Sequence, residues 1–158
     1  YLRFSFDKMK YRDSIYEALK LVKKYDIKAQ FFCYMLYNYI DSPLDFWKRI
    51  VYSQEMVDDV GRDIYLFPQR FEPFAALEKY QYVGKHWTQQ QAMGVRRMAT
   101  FLHGFLPITK THTIYNWIGH NFEEFMEIIE YMGESSKHRL TKQNKTPPSL
   151  EDLRKSLE

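Results

Sequence analysis

Gln30-Phe31-Phe32-Cys33-Tyr34-Met35-Leu36-Tyr37 is the stretch that decides the fold class of this chain. It is an almost unbroken apolar run, rich in rings, and too short for a buried helix. A run of that kind reads as a strand buried on both faces, the signature of a parallel sheet. Upstream, Leu2-Arg3-Phe4-Ser5-Phe6-Asp7 alternates apolar and polar and reads as another strand. Downstream, Asp63-Ile64-Tyr65-Leu66-Phe67 reads as a third, ended by Pro68.

Helices fill both gaps. Ser14 with Glu17 forms a capping-box pattern, and Ile15, Leu19 and Val22 follow on one helical face, ending near Tyr25 or Asp26. In the second gap Ser42 can cap, Pro43 suits the first helical position, and Asp45 favours the positive end. Phe46, Ile50 and Val57 mark its buried face, and Gly61 is the stop. Strand, helix, strand, helix, strand over residues 2–67 predicts an α/β fold of parallel strands joined by right-handed crossovers.

Beyond Pro68 the text changes. A loop rich in Pro, Glu and Tyr leads to a third helix opened by Thr88 and Gln91 and ending near Gly104. A fourth opens at Asn121 with Glu124, carries Phe125, Ile128, Ile129 and Met132, and stops at Gly133. Residues 134–149 read as linker, and Ser149 can cap a last short helix bearing Leu150, Leu153 and Leu157. Three regions result: an α/β portion over 1–73, a loop and helical extension over 74–133, and a linker with its short helix over 134–158.

Composition narrows the function classes. At 158 residues, 45% hydrophobic and 18% aromatic, the chain is one domain's worth and too apolar to be disordered. No apolar run approaches the roughly 20 residues of a membrane span. The lone Cys33 excludes an internal disulfide and any Cys-only metal site built from this chain, and a reduced, cytoplasmic setting is the default. Inside the apolar second strand it reads as an inert core thiol. The five histidines form no His-x3-His pair, and no glycine-rich phosphate loop follows a strand. A net charge of +3 does not by itself point to nucleic acid. A chain that opens in mid-strand at Tyr1 also reads as a piece of something longer.

In parallel α/β folds ligands sit beyond the carboxyl ends of the strands. The polar groups there are Ser5 and Asp7, then Asn38 and Asp41, then Gln69, Arg70 and Glu72. On a shared rim, Asp7, Asn38 and Arg70 would converge around one concavity. The plainer alternative gives Asp7, Asn38 and Asp41 to loops and caps, and pairs Arg70 with Glu72. A second set, Tyr80, Tyr82, Lys85, His86, Trp87, Arg96 and Arg97, interleaves rings with basic groups, as a nucleotide or RNA site does and as ordinary loops also do.

The run Phe32 to Phe46, with its turn Asn38-Tyr39-Ile40-Asp41-Ser42-Pro43, resembles the fifth strand and following turn of radical S-adenosylmethionine (radical SAM) enzymes. Leu2 to Asp7 then looks like the fourth strand and Tyr65 to Pro73 like the sixth. Tyr82-Val83-Gly84-Lys85-His86-Trp87-Thr88 is similar to a segment of uncharacterised members of that superfamily. The resemblance implies the C-terminal half of a partial TIM-like barrel, followed by a helical region. Family members hold a [4Fe–4S] cluster with Cys-x3-Cys-x2-Cys, and SAM bound to it yields a 5′-deoxyadenosyl radical that abstracts hydrogen from substrate. Here the only cysteine is Cys33 and the turn lacks the family's glycines. The cluster would therefore come from a missing N-terminal part, and the isolated chain would bind no iron.

By position, the resemblance assigns Ser5 and Asp7 to the SAM ribose or carboxylate, Tyr37 and Asn38 to the adenine, and Arg70 to SAM or an anionic substrate group. The implied partners are that N-terminal half, or another copy of the chain, covering the open strand edges where Leu2, Phe4 and Phe6 would be partly bare; the substrate stays open, and no membrane is involved. Two other classes remain: a non-catalytic α/β interaction module, and a nucleic-acid-binding domain using Lys85, His86, Trp87, Arg96 and Arg97.

Overall fold

Side chains alternate along a strand, so the register between strands decides which of them share a face. The computed structural model describes residues 1–75, 80–109 and 114–134. Its elements are β1 (Leu2–Ser5), α1 (Arg12–Lys24), β2 (Phe31–Tyr37), α2 (Pro43–Val60), β3 (Ile64–Arg70), α3 (Gln89–Phe101), β4 (Leu106–Ile108), α4 (Tyr115–Ile118) and α5 (Phe122–Gly133). The strands form one sheet in the order β1-β2-β3-β4. β1, β2 and β3 are parallel, as the alternation predicts, and β4 joins β3 antiparallel. The linker beyond Glu134 and the short helix expected after Ser149 lie outside the described residues.

Local chemistry sets most boundaries. Ser42 accepts the Asp45 N–H while Asp45 reaches back to the Ser42 N–H, so α2 opens on a complete capping box with Pro43 behind it. It stops at Gly61, whose φ of 74° lies in the left-handed region that favours glycine. Thr88 and Gln91 make the same box for α3, and Asn121 accepts the Glu124 N–H for α5.

Four expectations need correction. The helix α1 opens at Arg12, because a 3-10 turn over Met9–Tyr11 runs straight into it, and Ser14 lies inside the helix without capping it. Glu17 pairs with Lys20 instead, at 2.9 Å. β3 continues through Pro68 to Arg70. The Phe71 N–H bonds Tyr37 O across to β2, so Pro68, three residues earlier, turns its nitrogen to the opposite side. There β4 reaches only as far as Leu66, so the missing N–H forfeits no ladder bond. β4 is an element that the sequence reading does not name, and it closes the start of β3. Phe6, expected to be partly bare, is fully buried.

The fourth correction concerns β2, which is buried on one face only. Phe31, Cys33, Met35 and Tyr37 are buried, while Phe32, Tyr34 and Leu36 are half-buried or exposed. In register, Leu2, Phe31, Ile64 and Ile108 form one row, and Phe4, Cys33, Leu66 and Leu106 the next. Apart from the exposed Leu2, these rows join a single core with Leu19 of α1, Ile50 and Val57 of α2, Val95 of α3 and Ile129 of α5. The helices therefore cover one face. The alternate rows, Arg3–Phe32–Tyr65–Pro107 and Ser5–Tyr34–Phe67, belong to the other face, where the rings pack on one another.

Candidate functional site

The carboxyl ends of β1 and β2 are drawn together by one buried guanidinium. Arg49 of α2 is 1% exposed. Its Nη1 donates to the carbonyls of Phe6 (2.8 Å) and Leu36 (3.0 Å), and its Nε donates to Asp45 O (3.2 Å). Its Nη2 donates to the Asp41 carboxylate at 2.6 Å, an ion pair almost wholly shielded from water. Asp41 also accepts the Tyr39 N–H at 3.1 Å and faces the buried Trp87 indole, which donates to the Asp41 carbonyl at 2.8 Å. Burial pushes the Asp41 carboxyl up against these partners, and pushes the Arg49 guanidinium down against the pull of Asp41.

Beside this hub lies a rim cavity of about 220 Å³, lined by Asp7, Lys8, Tyr11, Leu36, Tyr39, Ile40 and Asp41. Asp7 accepts the Leu36 N–H through Oδ1 at 2.8 Å, and its Oδ2 has no partner among the described residues. The volume suits part of a nucleoside-sized ligand more than a whole one.

The other expected site residues stand elsewhere. Ser5 is exposed and belongs to the ring-lined face of the sheet, in register with Tyr34. Tyr37 and Arg70 share a row on the opposite, helix-covered face. Tyr37 is buried, packs on Phe46 and Trp87, and donates to Ala92 O at 3.3 Å; burial pushes its phenol up. Asn38 is fully buried with φ 64°, a left-handed conformation that Asn tolerates better than most residues. Its amide donates to Tyr82 O (3.1 Å) and Phe71 O (3.3 Å), and its carbonyl accepts the Gly84 N–H (2.9 Å). Arg70 Nη2 donates to the carbonyls of Tyr80 (3.0 Å) and Tyr82 (2.8 Å) and to Gln89 Oε1 (2.8 Å). Its Nε is buried without a partner, and burial pushes this guanidinium down.

Asp7, Asn38 and Arg70 thus do not meet around one concavity. Strand alternation turns Arg70 to the covered face, and Asn38 and Arg70 clasp the loop that leads into α3. The two segments behind the family resemblance pack together here: a Cβ added at Gly84 would lie 2.7 Å from Tyr39 O and 2.8 Å from Asn38 O. In the second basic and aromatic set, Trp87 is buried and Arg97 ties α3 to α5 through Met132 O and Glu134 O. Arg96 stacks over Tyr80 at 3.7 Å, and Lys85 and His86 remain exposed.

Arg49 was missed in the sequence, yet its signal was there. Three residues after Phe46 and four before Ser53, it sits on the stripe that also carries Ile50 and Val57. An arginine on an apolar stripe must find acceptors inside.

Among the described residues no three His, Cys, Asp or Glu side chains are placed to hold a metal ion, and no helix is long and apolar enough to cross a membrane. Cys33 is fully buried in the core, and burial pushes its thiol from 9.0 up to about 12. Alkylation of the native chain at mildly alkaline pH should therefore leave Cys33 unmodified, with full labelling in concentrated guanidinium; equal rates in both would contradict its burial. Because the unfolded thiol ionises first, stability should also fall between pH 9 and pH 12, by at most about 1.4 kcal/mol per pH unit from this group. Comparison with protein-family models, curated proteins and solved structures found no match.

Proposed function

We propose that this chain is the C-terminal part of a radical SAM enzyme, forming one wall of the pocket for SAM and substrate. The observation that carries the reading is the one-sided cover of three parallel strands. Among the described residues helices lie on one face only, as around a barrel, and the other face with its carboxyl-end rim is where a (β/α) barrel puts ligands. The turn that resembles the family's is also the most heavily braced part of the rim, through Arg49, Asp41 and Trp87.

In this reading Ser5 and Asp7 are the direct SAM contacts, because they lie toward the bare face and the rim cavity. The free Asp7 Oδ2 accepts from a ribose hydroxyl or the SAM ammonium. Tyr37, Asn38 and Arg70 act one layer back, holding the turn and the loop before α3. The residues of this chain do not fit an iron–sulfur cluster: the single thiol is sealed in the core and held protonated. Cluster and electron come from elsewhere.

The coding sequence upstream of Tyr1 tests the reading most directly. It should carry Cys-x3-Cys-x2-Cys, and the longer protein, purified without oxygen, should show the broad visible absorption of a [4Fe–4S] cluster. A start codon with no such motif overturns the proposal. In that longer protein Asp7→Asn keeps the acceptor for the Leu36 N–H and removes the charge, so SAM binding should weaken by about 1–3 kcal/mol while the melting temperature barely moves. Unchanged SAM affinity would remove Asp7 from the site.

A further inference from the structure

The sheet face that no described helix covers is not built like an ordinary solvent surface. It carries Tyr1, Phe32, Tyr34, Tyr65, Phe67 and Phe105, in contact pairs with ring centroids 5.3 to 5.7 Å apart. Tyr34 at its middle is 37% exposed and Tyr1 at its edge 82%. Among the strand residues of this face the one charged side chain is Arg3, in register with Phe32 and Tyr65 and without an ion pair among the described residues. The nearest acids along β1 and β3, Asp7 and Asp63, stand beyond the strand ends.

That composition discriminates between occupants. Packing this face on a second copy of the chain would bring an arginine from each copy among rings, with no carboxylate among the described strand residues of the face to receive either, which is costly. A ligand that brings flat apolar groups and negative charge together meets no such penalty. Bases stack on aromatic side chains irrespective of sequence, and a guanidinium takes a phosphate. Four strands at about 4.8 Å spacing span roughly 14 Å, room for two or three nucleotides.

We infer that the bare sheet face is a stacking platform for single-stranded nucleic acid, with Tyr34 and its neighbouring rings under the bases and Arg3 on the backbone. The inference concerns the face that the SAM reading makes a pocket wall, and it stands on the rings and Arg3 without requiring that reading. It also moves nucleic-acid contact away from the loop before α3 and from α3 itself, where Trp87 and Arg97 are committed to the fold.

Fluorescence anisotropy of a labelled ten-nucleotide oligouridylate with the 158-residue chain tests it, with inorganic polyphosphate as competitor. Saturable binding is expected, resistant to polyphosphate at equal phosphate concentration. Tyr34→Ala and Arg3→Glu should each weaken it roughly tenfold. Both side chains are exposed, so circular dichroism and melting temperature should not change, and Tyr34→Leu, which keeps bulk without a π face, should weaken binding too. The inference is overturned by any of three results. One is the absence of saturable binding. Another is binding indifferent to these variants but lost in Lys85→Glu with Arg96→Glu. The third is a self-associated chain, by sedimentation, that Tyr34→Ala dissociates and that takes up no oligonucleotide. None of these readouts depends on SAM, so a failure here leaves the enzyme reading to its own test.

Discussion

Arg49→Met should lower the stability of this chain by about 3–5 kcal/mol, the range for removing one member of a buried ion pair. Methionine fills much of the arginine's volume, so the loss would be polar and not a cavity effect. It strands the Asp41 carboxylate and deprives the Phe6 and Leu36 carbonyls of their shared donor. Those carbonyls close the ends of β1 and β2, so the rim should loosen before the rest of the sheet. Arg49→Lys should rescue only part, because one ammonium cannot reach three carbonyls and a carboxylate as the planar fork does.

A pH series separates this account from simple loss of packing. Burial already pushes the Asp41 carboxyl up, and without Arg49 its main counter-charge is gone. A carboxyl whose folded pKa lies above its unfolded one binds more protons in the folded state. Stability then rises as pH falls through the window between the two values. The deficit of Arg49→Met should therefore shrink toward acid, and Asp41→Asn in the same chain should recover a good part of it at neutral pH. The measurement is a urea midpoint at several pH values for both single variants and the double one. A pH-independent deficit below about 1 kcal/mol, the level of a surface pair, would show the hub to be dispensable.

Much of the fold was legible because it rests on local chemistry. The Ser42–Asp45 and Thr88–Gln91 boxes, the Asn121 cap and the Gly61 stop are readable from residues within one turn, and they bracket three of the helices. Long-range facts were not. Nothing within the run from Phe31 to Tyr37 says that helices cover only its odd-numbered side, because its rings suit a covered face and a bare one alike. Pro68 reads as a terminator until its nitrogen is known to face the side where β4 has ended. The candidate site failed in one respect for a similar reason. Chain order places Asp7, Asn38 and Arg70 at strand ends, but only register shows that Arg70 and Ser5 occupy opposite faces. The Ser14–Glu17 pattern misled because the 3-10 turn upstream, which has no strong sequence mark, starts the helix earlier.

Gly94→Ala should be the most damaging single-methyl change in the chain. Position 94 lies in the middle of α3, where alanine exceeds glycine in helix propensity by about 1 kcal/mol, so an isolated helix would gain from the exchange. Packing reverses the sign. The added Cβ would lie 1.8 Å from the Ile129 carbonyl oxygen and 2.6 Å from its carbon, and both belong to the backbone of α5. No rotamer change relieves a collision between two backbones. α3 must move off α5, and the buried contacts of Val95, Met98, Phe125 and Ile129 open with it. Overpacking by a methylene ordinarily costs about 1–3 kcal/mol, and a backbone-to-backbone collision belongs at or above the top of that range. At Gly133 the Cβ would lie 2.0 Å from the Gln90 carbonyl oxygen, the same conflict at the other end of the α3–α5 contact. Gly133 closes α5, where the chain can give way, so Gly133→Ala should cost less than Gly94→Ala. The control is Gly104→Ala: no atom lies within 4 Å of its Cβ and φ is +92°, so its cost is backbone strain alone. Thermal melts of the three variants should rank Gly94→Ala as the least stable. A Gly94→Ala chain that melts with the parent would mean that α3 and α5 do not cross at this glycine.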